Sequence, residues 1–270
     1  MAWVLLYGVA RKELTRNTMQ TKGDIEIRRA GDRGSFENYW LNSRFSFSFA
    51  DYYDQAHVSF GPLRVLNEDW VRPGTGFDPH PHRDMEIITV VLDGTVEHTD
   101  STGAEGRTSA GEVQVMTAGT GVIHSEKNPS DNETLHLFQI WIMPDRRGLK
   151  PRYDQARFTG TTPVGRSGEL VTLVSGRVAA PGSPGTFPLF IHQDAELLLA
   201  RFEAGQSVVR PIEEGRRAYV HVIEGEARIG GRTVSGGDAV KWTPQDGGES
   251  AAGIRIEAIT PARVLFIDLP

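Results

Sequence analysis

The apolar runs of this chain are short, and turn-forming residues close almost every one. Glu86-Ile87-Ile88-Thr89-Val90-Val91-Leu92 stops at Asp93-Gly94, and Val96-Glu97-His98-Thr99-Asp100 alternates after it. Asp-Gly between such runs predicts a β-hairpin, because both residues tolerate the positive φ that a tight turn needs. Residues 135–142 end at Met143-Pro144, residues 195–202 at Glu203-Ala204-Gly205, and residues 217–224 at Gly225. Residues 25–29 read as an opening strand, 63–67 as a short strand and 68–77 as a turn. Runs of this length suit strands, and 30 glycines with 15 prolines supply the turns between them. The pattern predicts an all-β chain of barrels or sandwiches with few short helices.

The second half repeats the style of the first. Residues 217–225 resemble 87–94 in shape, 226–237 read as a hairpin, and 238–242 resemble the segment at Val113. The polar stretch 145–168, with Pro151 and Pro163, is expected to connect the halves; its Arg152, Arg157 and Arg166 read as solvated charge. We expect a tail over 1–18, an N-terminal domain over 19–150 and a C-terminal domain over 151–270. Met19 is an alternative natural start.

Two spacings carry chemistry. His80-Pro81-His82 and His124-Ser125-Glu126 are both i, i+2 pairs, so on strands each pair faces one way. Brought together, three imidazoles and a carboxylate suit a divalent transition metal. Glu86 competes with Glu126 for the role of carboxylate ligand. Its even spacing from His82 keeps one face, but it stands about 13 Å further along an extended strand. Glu126 is therefore favoured, with Glu86 as a pocket residue or a neighbour of the ligands. Phe45-Ser46-Phe47-Ser48-Phe49 puts three aromatics on one face, read as core packing or as the wall of a ligand pocket. His98 and His136 are given no role, and His192 and His221 are expected in ordinary core or surface positions. Nothing in the second half matches either pair.

Composition removes other classes. A formal net charge of −6 disfavours direct binding to nucleic acid. With no cysteine, disulfides, thiolate metal sites and cysteine nucleophiles are excluded, and a cytoplasmic location is expected. No run approaches the roughly 20 apolar residues of a membrane helix. The apolar start precedes its basic residues, the reverse of a secretory signal.

His80-Pro81-His82 with Glu86, and Gly121 with His124 and Asn128, resemble the two cupin motifs. Gly94 and Thr117 depart from the general pattern. Phe47-Ser48-Phe49-Ala50-Asp51-Tyr52-Tyr53, Phe60-Gly61-Pro62-Leu63-Arg64-Val65, His80-Pro81-His82-Arg83-Asp84-Met85-Glu86 and Met116-Thr117-Ala118-Gly119-Thr120-Gly121 resemble signatures of the pirin family. The likeness is detailed over residues 24–145 and weaker beyond.

The resemblance implies a bicupin of two face-to-face antiparallel β-barrels of jelly-roll type, with one metal in the first. It implies His80, His82, His124 and Glu126 as ligands. The expected ion is Fe(II), with Mn, Co, Ni, Cu or Zn as alternatives. It implies quercetin 2,3-dioxygenase activity on a flavonol and dioxygen, with Glu126 as general base and ring opening that releases carbon monoxide. The alternative it implies is a metal-dependent regulatory protein acting through a protein partner. A monomer is expected.

Overall fold

The computed structural model describes residues 23–158, 167–178, 185, 187–244 and 252–270. The expected tail over 1–18, Pro163 and Arg166 lie outside the described residues. In chain order the strands of the first half are β1 (Gly23–Arg28), β2 (Gly34–Glu37), β3 (Leu41–Phe45), β4 (Leu63–Val71), β5 (Gly76–His82), β6 (Glu86–Asp93), β7 (Thr95–Asp100), β8 (Glu105–Ser109), β9 (Glu112–Thr117), β10 (Val122–Lys127), β11 (Leu135–Ile142) and β12 (Arg152–Arg157). Those of the second are β13 (Val171–Ser175), β14 (Leu189–Phe190), β15 (Glu196–Phe202), β16 (Ser207–Ile212), β17 (Arg217–Glu224), β18 (Glu226–Ile229), β19 (Arg232–Ser235), β20 (Ala239–Pro244), β21 (Ala252–Ala258) and β22 (Ala262–Leu269). Among the described residues, helical structure is confined to the short 3-10 segments Ala30–Asp32 and Gln55–His57.

Among the described residues, each half is a seven-stranded sheet over a four-stranded one, a jelly-roll sandwich rather than a continuous closed barrel. The first pairs β12-β9-β6-β11-β4-β3-β2 with β5-β10-β7-β8, and the second pairs β1-β20-β17-β22-β15-β13-β14 with β16-β21-β18-β19. The two large sheets meet face to face. Ile88, Val90, Phe138 and Ile140 of the first share one buried cluster with Leu197, Leu199, Leu265 and Ile267 of the second. Burial on both faces explains why the β6 segment is apolar at nearly every position.

Strand pairing crosses the expected boundary at 150/151 twice. β1 adds to β20 of the second half, with Ile27 opposite Val240. β12 lies in the stretch expected to be a connection, yet it completes the first large sheet against β9. Each half thus takes its outermost strand from beyond the turn-bounded core of its own sequence.

Three local expectations are corrected. Asp93-Gly94 does not close a hairpin: β6 pairs with β11 and β9, whereas β7 pairs with β10 and β8 in the other sheet. Gly94, at φ +78°, turns a corner between sheets, and Gly225, at φ +82°, does the same between β17 and β18. Residues 68–71, read as a turn, extend β4. The Phe45–Phe49 alternation is not one strand, because β3 ends at Phe45. The hairpin over 226–237 does form, with Ala227 opposite Val234.

Candidate metal centre

β5 is the edge strand of its sheet, which is what admits two prolines around His80. β10 lies beside it with His124 opposite His80. Alternation along β10 buries Val122, His124 and Glu126 while Ile123 and Lys127 face out. Between His124 and Glu126 the register slips from His80 to Phe77, so β5 carries a bulge at Asp78-Pro79. Such a bulge re-aims the side chains that follow it.

Within the described residues, the nitrogens offered by His80, His82 and His124 all lie within 4.8 Å of one another. His98, His124 and Glu126 form a second such group, so His124 joins the triad to the carboxylate. Hydrogen-bond partners assign the tautomers. His80 Nδ1 lies 2.8 Å from the Asp78 carbonyl, which only accepts, so the proton is on Nδ1 and Nε2 is bare. His98 Nε2 lies 3.2 Å from an Asp100 carboxylate oxygen and therefore donates, leaving its Nδ1 to accept from His124 Nδ1 at 3.4 Å. His124 Nε2 is then bare as well, and it faces His80 Nε2 at 3.1 Å.

Two bare nitrogens at that distance repel unless a cation lies between them. Two nitrogens each about 2.1 Å from one ion would stand at most about 4 Å apart, and this pair falls inside that limit. The donor set therefore fits a divalent metal. Burial, with His80 nearby, lowers the pKa of His82 to about 4 and that of His124 to about 2, keeping both neutral and able to ligate at pH 7.

Glu126 is fixed from the opposite sheet. Gln114 Nε2 donates to its Oε1 at 2.8 Å, Thr89 Oγ1 donates to the same oxygen at 3.3 Å, and Gln139 Nε2 donates to Oε2. The donors come from neighbouring strands in one rank: Gln139 faces Thr89 and Thr89 faces Gln114, with Asn67 opposite Gln139 on its other side. Hydrogen bonds to a charged group contribute about 1.5–3 kcal/mol each. Even so, burial pushes the carboxyl up to about 7, with the charge of Asp69 adding to the effect. A divalent cation beside it would favour the ionised form.

A cavity of about 580 Å³ opens onto the triad. Its lining includes His80, His82, His124 and Glu126. Phe45 and Phe49 line it too, with ring centroids 5.3 Å apart, and Phe49 meets Trp141 edge-on at 5.4 Å. Trp141 in turn packs edge-on against His82 at 4.9 Å.

Two sequence expectations are corrected here. Phe47 is not a wall residue; once β3 has ended it turns into the core between the halves, 5.5 Å from Tyr219. Glu86 does not neighbour the ligands. Asp84, at φ +49°, bends the chain between β5 and β6, which belong to different sheets, so even spacing from His82 no longer means one face. On β6, Glu86 shares the side of Ile88 and Val90, which pack against the second half. Its Oε2 accepts from Thr117 at 2.9 Å, and burial raises its pKa to about 7.

Other residues at the site carried a weaker signal. Thr89, Gln114 and Gln139 are lone polar residues inside apolar strands, and that interruption marks them. His98 is fully buried and stacks on Tyr153 at 4.3 Å, a contact no spacing could announce. Of the remaining histidines, His136 bonds Glu68 at 3.1 Å, and His221 is buried edge-on to Phe138 between the halves.

A jelly-roll pair with one histidine-rich cavity and a second half lacking its counterpart among the described residues defines a two-domain cupin. The chain belongs to the pirin family. Residues 26–142 match the Pirin model, and residues 178–269 match the quercetinase C-terminal cupin domain. It is 43% identical over 247 residues to the quercetin 2,3-dioxygenase of Escherichia coli K12, spanning 91% of this chain and 99% of that protein. The crystal structure of the bacterial pirin YhhW from Escherichia coli in complex with nickel(II) is 42% identical, with a TM-score of 0.80, covering 92% of this chain and 99% of that one. GK1651 from Geobacillus kaustophilus, at 23% identity and TM-score 0.73 over 93% of this chain and 97% of that one, shares the fold.

Proposed function

We propose that this protein is a metal-dependent dioxygenase that opens the ring of flavonols such as quercetin, with release of carbon monoxide. The observation that carries the reading is the meeting of bare imidazole nitrogens from His80 and His124, with His82 beside them, at the wall of an aromatic-lined cavity. The name of the Escherichia coli relative supports the substrate class. His80, His82, His124 and Glu126 would hold the ion, which we take as Fe(II); nickel is the ion in the related structure. When bound, such an ion acts as a Lewis acid toward an oxyanion.

The chain's own residues do the rest. Phe45, Phe49 and Trp141 give a planar ligand one continuous aromatic wall and exclude water. Glu126 receives the proton of the flavonol 3-hydroxyl. Its raised pKa suits a base that operates near neutrality, and ligation would lower that basicity. Gln114 and Gln139 keep its carboxylate aimed through that transfer. We further propose a monomer acting in the cytoplasm. Among the described residues, no helix is long and apolar enough to cross a membrane.

The test is anaerobic reconstitution with Fe(II), Mn, Co, Ni or Cu in turn, followed by quercetin in air. Loss of the flavonol absorption with release of carbon monoxide supports the reading. No turnover with any ion would overturn it in favour of a binding or regulatory role.

A further inference from the structure

The wall of the cavity facing the histidines carries polar groups that the proposed chemistry does not use. Ser43 on β3 and Asp69 on β4 are directly paired across the strands, as are Phe45 and Asn67. All four line the cavity. Ser43, Asn67 and Asp69 are each buried. Ser43 Oγ donates to Asp69 Oδ1, and among the described residues no other hydrogen bond reaches that carboxyl. Among the described residues, Asn67 Oδ1 is buried with no partner. A buried carboxyl with one donor and an unpaired amide oxygen both lose hydrogen bonding on folding unless something else supplies donors. Tying β3 to β4 would need only the Ser43–Asp69 bond, and it would not require Asn67 to face an apolar cavity.

We propose that Asp69, oriented by Ser43, and Asn67 form a recognition strip for aromatic hydroxyl groups, selecting polyhydroxylated over unsubstituted or O-methylated flavonols. The inference rests on the flavonol reading and deepens it. Asn67 and Asp69 are two residues apart on one strand, so their acceptors are about 7 Å apart along it. The strip lies on the large sheet and the histidine triad on the small one, so a ligand held between the sheets touches both. Its reacting hydroxyl faces the histidines, and its remaining hydroxyls donate to Asp69 and Asn67. An O-methyl group removes the donor and adds bulk; an unsubstituted ring leaves both acceptors unpaired. Asp69 and Asn67 are positioning residues in this scheme and transfer no proton.

The test compares three ligands on the metal-loaded protein with dioxygen excluded: quercetin, 3-hydroxyflavone, and quercetin methylated at every hydroxyl except the 3-position. Binding is followed by quenching of tryptophan fluorescence, with Trp141 in the cavity wall as reporter. The wild-type protein should bind quercetin at least about tenfold more tightly than either analogue, which is about 1.4 kcal/mol. Asp69→Leu combined with Ser43→Ala removes donor and acceptor together, the change least costly to folding. Asn67→Leu is the second variant. In each, quercetin affinity should fall toward that of 3-hydroxyflavone, whose own affinity should hold or rise because an acceptor it leaves unpaired is gone. A merely structural role would weaken all three ligands alike, and that result would overturn the strip. So would a wild-type protein that binds quercetin and 3-hydroxyflavone equally. A wild-type protein that binds none of the three would sink the flavonol reading itself, and the strip with it.

Discussion

His98 of β7 lies directly across the sheet from Glu126 of β10, and its ring reaches the other side of His124, Nδ1 to Nδ1 at 3.4 Å. Asp100 anchors the far nitrogen. The order Asp100–His98–His124 fixes which nitrogen of His124 faces the triad. Partners of this kind typically contribute 10- to 100-fold in metal affinity. Asp100→Asn keeps an oxygen for the Thr102 and Ala104 amides, which bond Oδ1. It should raise the dissociation constant for Ni(II) by about tenfold or more, measured by calorimetric titration. Imidazole ¹⁵N shifts of the metal-free variant should show His124 in mixed tautomers; an unchanged affinity and spectrum would exclude the role.

The two carboxylates that the spacing left in competition are separated by the large sheet. Glu126→Gln should lower bound metal at least about tenfold in elemental analysis, whereas Glu86→Gln should leave it unchanged. The reverse pattern would show that Glu86, not Glu126, serves the ion.

Glu86 also sets a pH dependence. Its pKa rises from 4.5 to about 7 in the folded protein, with burial as the cause and Thr117 and Arg152 partly opposing it. Between these values the folded state holds a proton that the unfolded chain has lost. The contribution of this group to stability is thus fully present below pH 4.5 and is lost as pH rises through 7. Glu86→Gln removes that loss. The variant should match the wild-type melting temperature near pH 4.5 and exceed it at pH 8, by at most about 3 kcal/mol of stability. A constant difference across the range would contradict this account.

Gly225 tests the corner between sheets. At φ +82°, a Cβ added there would lie 2.1 Å from the Pro261 carbonyl oxygen. Gly225→Ala should cost about 2 kcal/mol or more, read as a lower midpoint in urea. The site is in the other half, so metal bound by the folded fraction should not change.

Short apolar runs and closely spaced turns were enough to give all-β architecture and two similar halves, because strand periodicity and turn chemistry are local. The i, i+2 pairs placed His80 with His82 and His124 with Glu126, since alternation within one strand needs no knowledge of its neighbours. What crosses a bend is not local. The even step from His82 to Glu86 lost its meaning at Asp84, where the chain changes sheets, and Asp93-Gly94 looked like a hairpin because a corner and a tight turn use the same residues. Phe45, Phe47 and Phe49 alternate in sequence, yet only the first and last reach the cavity. The Asp100–His98–His124 chain, the rank from Asn67 to Gln114 and the exchange of outer strands β1 and β12 all join residues far apart in sequence. They were decided by strand register, which is set by burying apolar faces of whole sheets against one another and is written in no single segment.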